Sequence, residues 1–155
     1  VFLCLGQHFV LAVHAHCIFC AIANGEIPTN KVYEDDKILA FYDLEPQAPV
    51  HILIIPKEHI KWAYDVNEEN SQVIAHIFAK IPEIAKKLGI EDGFRIVNNC
   101  GALAGQSVQH LHFHLMAGRA FTWPVEVLGN GVGGDGVLEA TAVGIAFDHD
   151  LDEGL

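Results

Sequence analysis

Near the end of the informative part of the chain stands His110-Leu-His112-Phe-His114-Leu, three histidines at a spacing of two. In an extended strand, alternate side chains point to opposite sides, so the spacing predicts three imidazoles on one face and Leu111, Phe113 and Leu115 on the other. Same-face neighbours lie about 6.6 to 6.8 Å apart, a row that can touch successive parts of one ligand. Imidazole donates, accepts and acts as a nucleophile near neutral pH. The plain alternative is a surface row of histidines. Just upstream, Asn98-Asn99 precedes Gly101-Ala-Leu-Ala-Gly105-Gln106-Ser107. Glycines let backbone N–H groups approach an oxygen closely, and Ser107 adds a hydroxyl, so the loop and the row read together as an anion cradle facing a nucleophile. Phosphoryl or nucleotidyl transfer needs that arrangement.

A second constellation is Cys17-Ile-Phe-Cys20. Two thiolates at this spacing, with His59 and His110, offer a closed four-ligand structural zinc site. Two reduced cysteines, or a redox pair, are the other readings; the redox one lacks the preceding strand that such a motif follows. A competing use of the histidine row is a catalytic zinc with an open position.

The elements that must hold these groups are legible from punctuation and periodicity. Residues 32–35 and 38–44 read as two strands of a hairpin turning at Asp35-Asp36-Lys37, and residues 51–56 as a strand whose continuous apolar interior suits a central position. From about Glu68 to Leu88, apolar residues recur at three- and four-residue steps, which predicts an amphipathic helix ended by Gly89, with a kink at Pro82. Residues 94–99 and 110–116 complete a strand, loop, strand unit. The sum is an α+β domain with an antiparallel sheet and one main helix.

Composition sets the outer limits. At 155 residues and 51% hydrophobic content the chain has room for one main core. Nine Lys and Arg stand against 20 Asp and Glu, a net charge of −11, which excludes a broad basic face for nucleic acid and means that any bound anion is held locally. The imbalance is uneven, −4 over residues 1–124 and −7 over 125–155. No apolar run reaches the roughly 18 residues of a membrane span. The leader VFLCLGQHFVLAV has no basic residue before it and no small-x-small site, so export is not expected and residues 1–14 are set apart, the non-Met start reading as a fragment or an unusual start. Residues 127–155, which hold seven of the 14 glycines, read as a poorly ordered acidic tail.

The His110–Leu115 pattern, with Gly105-Gln-Ser107, Cys17-Ile-Phe-Cys20, Ile27-Pro28, Ala40-Phe41-Tyr42-Asp43, Pro46-Gln-Ala-Pro49 and Ile55-Pro56-Lys57-Glu-His59, resembles the histidine triad (HIT) superfamily over residues 15–126. Trp123-Pro124 resembles its Hint branch of purine nucleoside phosphoramidases, and the C-x-x-C with His59 the zinc-retaining bacterial type. The resemblance implies the HIT-like sheet with a short N-terminal helix besides the main one. It implies that His112 attacks the α-phosphorus of a nucleoside 5′-phosphoramidate and forms a covalent nucleotidyl-imidazole that water hydrolyses, with Ser107 and His114 on phosphate oxygens or the leaving group and His51 relaying protons. Asn99, Gly105 and Gln106 would shape the cradle, Asp43 would accept the ribose hydroxyls, and Phe19, Ile22, Phe41, Leu44 and Trp123 would complete the nucleotide site. Without the family, Phe19, Ile22 and Phe41 read as ordinary core, and His51 as a strand-edge histidine. The resemblance also implies structural Zn2+ on Cys17, Cys20, His59 and His110, a homodimer, a purine mononucleotide as ligand, and a cytoplasmic protein with neither nucleic acid nor membrane as partner.

Overall fold

The computed structural model describes residues 17–122; the leader, Trp123 and the acidic tail lie outside the described residues. Five strands and two α-helices follow in the order α1 (Ile18–Ala23), β1 (Lys31–Glu34), β2 (Ile38–Tyr42), β3 (Val50–Pro56), α2 (Gln72–Leu88), β4 (Phe94–Val97) and β5 (Phe113–Ala117). They make an α+β fold around a five-stranded antiparallel sheet of order β1-β2-β3-β5-β4. As the apolar run of residues 51–56 requires, β3 is the middle strand and its side chains from His51 to Pro56 are all buried.

Strand alternation divides the core in two. Ile38, Ala40, Ile52, Ile54, Phe113 and Leu115 face α2, where Ile77, Ile81, Ile84 and Ala85 meet them. Leu39, Phe41, Leu53 and Ile55 point the other way, against Phe19 and Ile22 of α1. Because β3 and β5 pair with Leu53 opposite His114 and His51 opposite Met116, period two puts His51 and His114 on the α1 side of the sheet. The large helix is therefore the backing of the site, and the short helix forms its front wall.

Two boundaries differ from the expected ones. The helix starts at Gln72 and not at Glu68, because the Asn67 carboxamide accepts the Glu69 and Asn70 N–H groups at 2.8 and 3.3 Å and holds a turn there. It then runs as one element through Pro82 to Gly89, whose left-handed φ of 66° lets its N–H reach the Ala85 and Lys86 carbonyls. The last strand starts at Phe113 and not at His110. Its ladder partners begin there, while the N–H groups just before it go elsewhere, Leu111 to the Ile60 carbonyl at 2.6 Å and His110 to that of Val108 at 2.8 Å. None of the described helices is long and apolar enough to cross a membrane.

Candidate functional site

The predicted three-imidazole face is split by the structure. His110 lies before β5 and turns to α1, while His112 and His114 line a cleft of about 880 Å3 with Ser107, Asp43 and Phe41. The histidine row thus serves two sites.

The first is the Cys17, Cys20, His59 and His110 cluster, whose ligand atoms all lie within 4.8 Å of one another. Cys17 caps α1, its sulfur accepting the Cys20 N–H at 3.4 Å, so the first turn of the helix brings both thiols to one place. The Nδ1 atoms of His59 and His110 stand 3.2 and 3.5 Å from the Cys20 sulfur, and His110 Nδ1 is 3.4 Å from that of Cys17. His110 Nε2 is 2.9 Å from the Pro56 carbonyl. A carbonyl only accepts, so Nε2 carries the proton and Nδ1 turns its lone pair to the thiols, the orientation that a metal-ligating histidine takes. Burial, then the neighbouring Cys17, pushes the Cys20 thiol up to about 12. Two thiolates side by side here need a cation between them, and the donor set of two sulfurs and two imidazoles fits a tetrahedral soft-metal site.

The second site is the cleft. His112 is 3% exposed, and its ring stands edge-on to Phe19 with centroids 5.3 Å apart. Its Nδ1 lies 2.6 Å from the His110 carbonyl, so Nδ1 holds the proton and Nε2 the lone pair. Asn98, noted in the sequence but assigned no role there, fixes this peptide: its Nδ2 donates to the His112 carbonyl at 2.7 Å. Only its place at the end of β4, opposite β5, gave a hint of that.

His51, His114 and Asp43 form a chain of contacts. The Gln47 backbone N–H donates to His51 Nδ1 at 3.1 Å, which leaves the proton on Nε2, 2.9 Å from His114 Nδ1 and 3.5 Å from Asp43 Oδ2. His114 Nδ1 is then an acceptor, and its Nε2 carries the N–H. In this order of tautomers His51 presents its Nε2–H to His114 and so sets the tautomer of His114. A metal on Asp43, His51 and His114, although their ligand atoms are within 4.8 Å, would demand a lone pair from His51 Nε2 while Nδ1 already uses its own. The geometry disfavours a catalytic zinc on the row.

Burial, then the His112 and His51 rings, holds the His114 pKa down to about 4 against the opposing pull of Asp43, and burial likewise lowers that of His51. The unfolded value is about 6.5, so protonation favours the unfolded chain. The contribution of His114 is fully present above pH 6.5 and fades as pH falls towards 4. An NMR titration is expected to show His114 neutral and protonated at Nε2 at pH 5.5; a midpoint near 6.5 would contradict this assignment.

Of the other expected residues, Phe19, Ile22 and Phe41 are both core and wall: each is buried in the α1-side cluster, and each lines the cleft. Asp43 lies on the wall with one oxygen accepting the Glu45 N–H at 2.8 Å, and Leu44 stands 96% exposed at the rim. Asn99 and Gly105 flank the loop without lining the cleft; Gly105 is left-handed at φ 83°. Gln106 departs from the nucleotide-contact reading. It is buried, and its carboxamide is used up on the Gly101 N–H and the Lys61 and Val108 carbonyls at 2.8, 2.8 and 3.0 Å, so it braces the loop that presents Ser107.

Comparison with known proteins agrees with this geometry. The HIT domain model matches residues 24–121. A HIT-like protein of Synechocystis is 49% identical over 107 residues, 69% of this chain and 94% of its own length. The crystal structure of a HIT family hydrolase from Legionella pneumophila superposes with a TM-score of 0.67 at 50% identity, covering 70% of this chain and 97% of that one. A histidine triad nucleotide-binding protein from Candida albicans superposes with a TM-score of 0.60 at 32% identity, over 73% of this chain and 86% of that one.

Proposed function

The chain belongs to the HIT domain family, and from that premise we propose that it is a nucleotide-binding hydrolase that cleaves purine nucleoside 5′-phosphoramidates at the α-phosphorus through His112. The observation that carries the reading is the His112 tautomer: Nδ1–H is tied to the His110 carbonyl at 2.6 Å, so the lone pair of Nε2 is the atom offered to a substrate in the cleft.

In the first step Nε2 attacks phosphorus, the P–N bond breaks, and the departing nitrogen takes a proton from solvent and leaves as an amine. In the second, water attacks phosphorus, the P–Nε2 bond returns its electron pair to His112, and the water gives up the proton that replaces the one consumed. The Nδ1–H bond to a carbonyl stabilises the positive charge that the imidazole carries between the steps. Ser107 and the Nε2–H of neutral His114 donate to phosphate oxygens. Phe19, Ile22 and Phe41 supply apolar surface for a purine, and Asp43 accepts from ribose hydroxyls, a charge-assisted contact that an acidic protein can make without a basic patch. Supporting the class are the Legionella hydrolase and the Candida nucleotide-binding protein.

Cys17, Cys20, His59 and His110 would hold a structural zinc, which would cross-link α1 to the segments before α2 and β5. A homodimer belongs to the same reading, with support from apolar side chains such as Phe78 of α2, 49% exposed.

Stereochemistry tests the two-step course. With a substrate made chiral by sulfur at the α-phosphorus and hydrolysed in heavy-oxygen water, so that the product phosphorus stays chiral, two successive in-line displacements are expected to return the nucleotide with its configuration retained. Inversion would mean direct attack by water and would remove His112 as nucleophile.

A further inference from the structure

Arg119 is an exposed cation that pairs with no carboxylate among the described residues, and yet it is held in place. Its guanidinium lies 4.4 Å from the centre of the Phe121 ring, which Arg95 also meets at 4.6 Å, and its Nη1 donates to the Ala120 carbonyl at 3.0 Å. Its Nε donates to the Gln47 carbonyl at 3.4 Å. Gln47 is the residue whose backbone N–H occupies His51 Nδ1. From this succession we propose that Arg119 is a positioning residue of the reaction: it seats the loop of residues 43–49 so that the Gln47 N–H stays on His51, and through His51 it keeps His114 in the tautomer that donates to phosphate. The inference rests on the phosphoramidate reading above and deepens it.

The place of Arg119 follows from where the sheet stops. The β3–β5 ladder ends at the Val50–Ala117 pair, just where the loop enters β3. Past that rung the loop rests on Gly118. At φ 88° this glycine has a backbone that L side chains rarely adopt, and a Cβ on it would stand 2.9 Å from that of Pro49, so Pro49 lies directly against the backbone. Arg119 extends the same support to the Gln47 carbonyl. Within the loop, Gln47 Nε2 donates to the Glu45 carbonyl at 2.9 Å and the Glu45 N–H to Asp43 at 2.8 Å, so the turn is braced from inside and a shift of Gln47 is felt at His51 Nδ1.

The Gln47 N–H can only donate, so while it is in place His51 keeps a lone pair on Nδ1 and its proton on Nε2. Without it the proton can sit on Nδ1. His51 Nε2 would then offer His114 a lone pair, His114 would turn its own proton to Nδ1, and its Nε2 would have no hydrogen for a phosphate oxygen. Losing such a donor outright costs on the order of 10^2- to 10^3-fold in kcat. Asp43 Oδ2, 3.5 Å from His51 Nε2, still favours the original tautomer, so the cost through Arg119 is smaller.

The test uses the full chain, metal-replete, with adenosine 5′-phosphoramidate as substrate and folding checked by thermal melts. Arg119→Ala is expected to lower kcat about tenfold with KM within about twofold of the parent, and Arg119→Lys, which keeps a cation for Phe121 and a donor for Gln47, to recover most of the loss. Should Arg119→Ala not fold, Arg119→Met, which keeps the apolar stem and lacks the donor, carries the same expectation. In a His51→Ala background the same change is expected to cost less than about twofold, because the residue it acts through is gone. Nitrogen-15 NMR at pH 7.5 is expected to show His114 as Nε2–H in the parent and to reveal an Nδ1–H population in the Arg119 variant. Unchanged kcat with unchanged tautomers overturns the proposal. So does a loss of kcat that persists in full without His51 or that comes with parental tautomers, because Arg119 would then be structural only. Should the parent cleave no phosphoramidate, the hydrolase reading fails by itself, and the tautomers alone decide the positioning: a shift in the variant upholds it, and no shift overturns it.

Discussion

Replacing His112 with alanine is expected to lower kcat for an adenosine phosphoramidate by on the order of 10^4-fold or more, the scale seen when an enzyme loses its nucleophile. No neighbour can take over. His114 holds its proton on Nε2 and uses Nδ1 to accept from His51, while His110 is committed to the Pro56 carbonyl and the thiols. The ring that is lost is buried and packs against Phe19 at 5.3 Å, so His112→Ala also costs stability, about 1 to 3 kcal/mol. That is small enough for the fold to survive at room temperature. Turnover, AMP binding and a thermal melt measured on the same preparation separate the two effects. A folded variant that still binds AMP and turns over within tenfold of the parent would sink the nucleophile assignment.

Cys20→Ser is expected to have the largest effect on stability and a small one on chemistry. The Cys20 sulfur lies within 3.5 Å of both His59 and His110 Nδ1, so its loss breaks the four-ligand set at its centre. Without the second thiolate, the content of the proposed zinc is expected to fall to a small fraction of the parent's by mass spectrometry, and unfolding stability to drop by about 3 to 5 kcal/mol. Below its lowered melting temperature the variant is expected to retain turnover within a few fold of the parent, because the cluster supplies none of the atoms that line the cleft with His112. Loss of activity in full, in a variant still folded and able to bind AMP, would mean that the metal takes part in the reaction.

Much of the fold was legible because it rests on local rules. Apolar side chains on both faces of residues 51–56 require cover on both sides, and β3 is accordingly central. Gly89 ends α2 because its left-handed backbone satisfies the last carbonyls. Errors came where a side chain outside the periodic pattern captured backbone groups, as Asn67 does before α2, or where long-range bonds redirected the chain, as the Ile60 carbonyl does at Leu111. Gln106 shows the same limit at the site. Its neighbours in the sequence mark a binding loop, but only the folded loop brings three backbone partners to its carboxamide.

The sequence by itself determined that three imidazoles alternate with Leu111, Phe113 and Leu115, that two thiols stand three residues apart, and that a glycine-bearing loop precedes Ser107. Residue type and spacing decide such things within a few covalent bonds. Only the tertiary structure decided which histidine goes where: His110 to the thiols, His112 to the cleft, His114 to the end of a pair with His51. It also decided which nitrogen of each ring holds the proton. The physical reason is that a tautomer is set by the partner that the other nitrogen meets, and these partners, the carbonyls of Pro56 and His110 and the N–H of Gln47, are backbone groups that fixed side-chain periodicity does not encode.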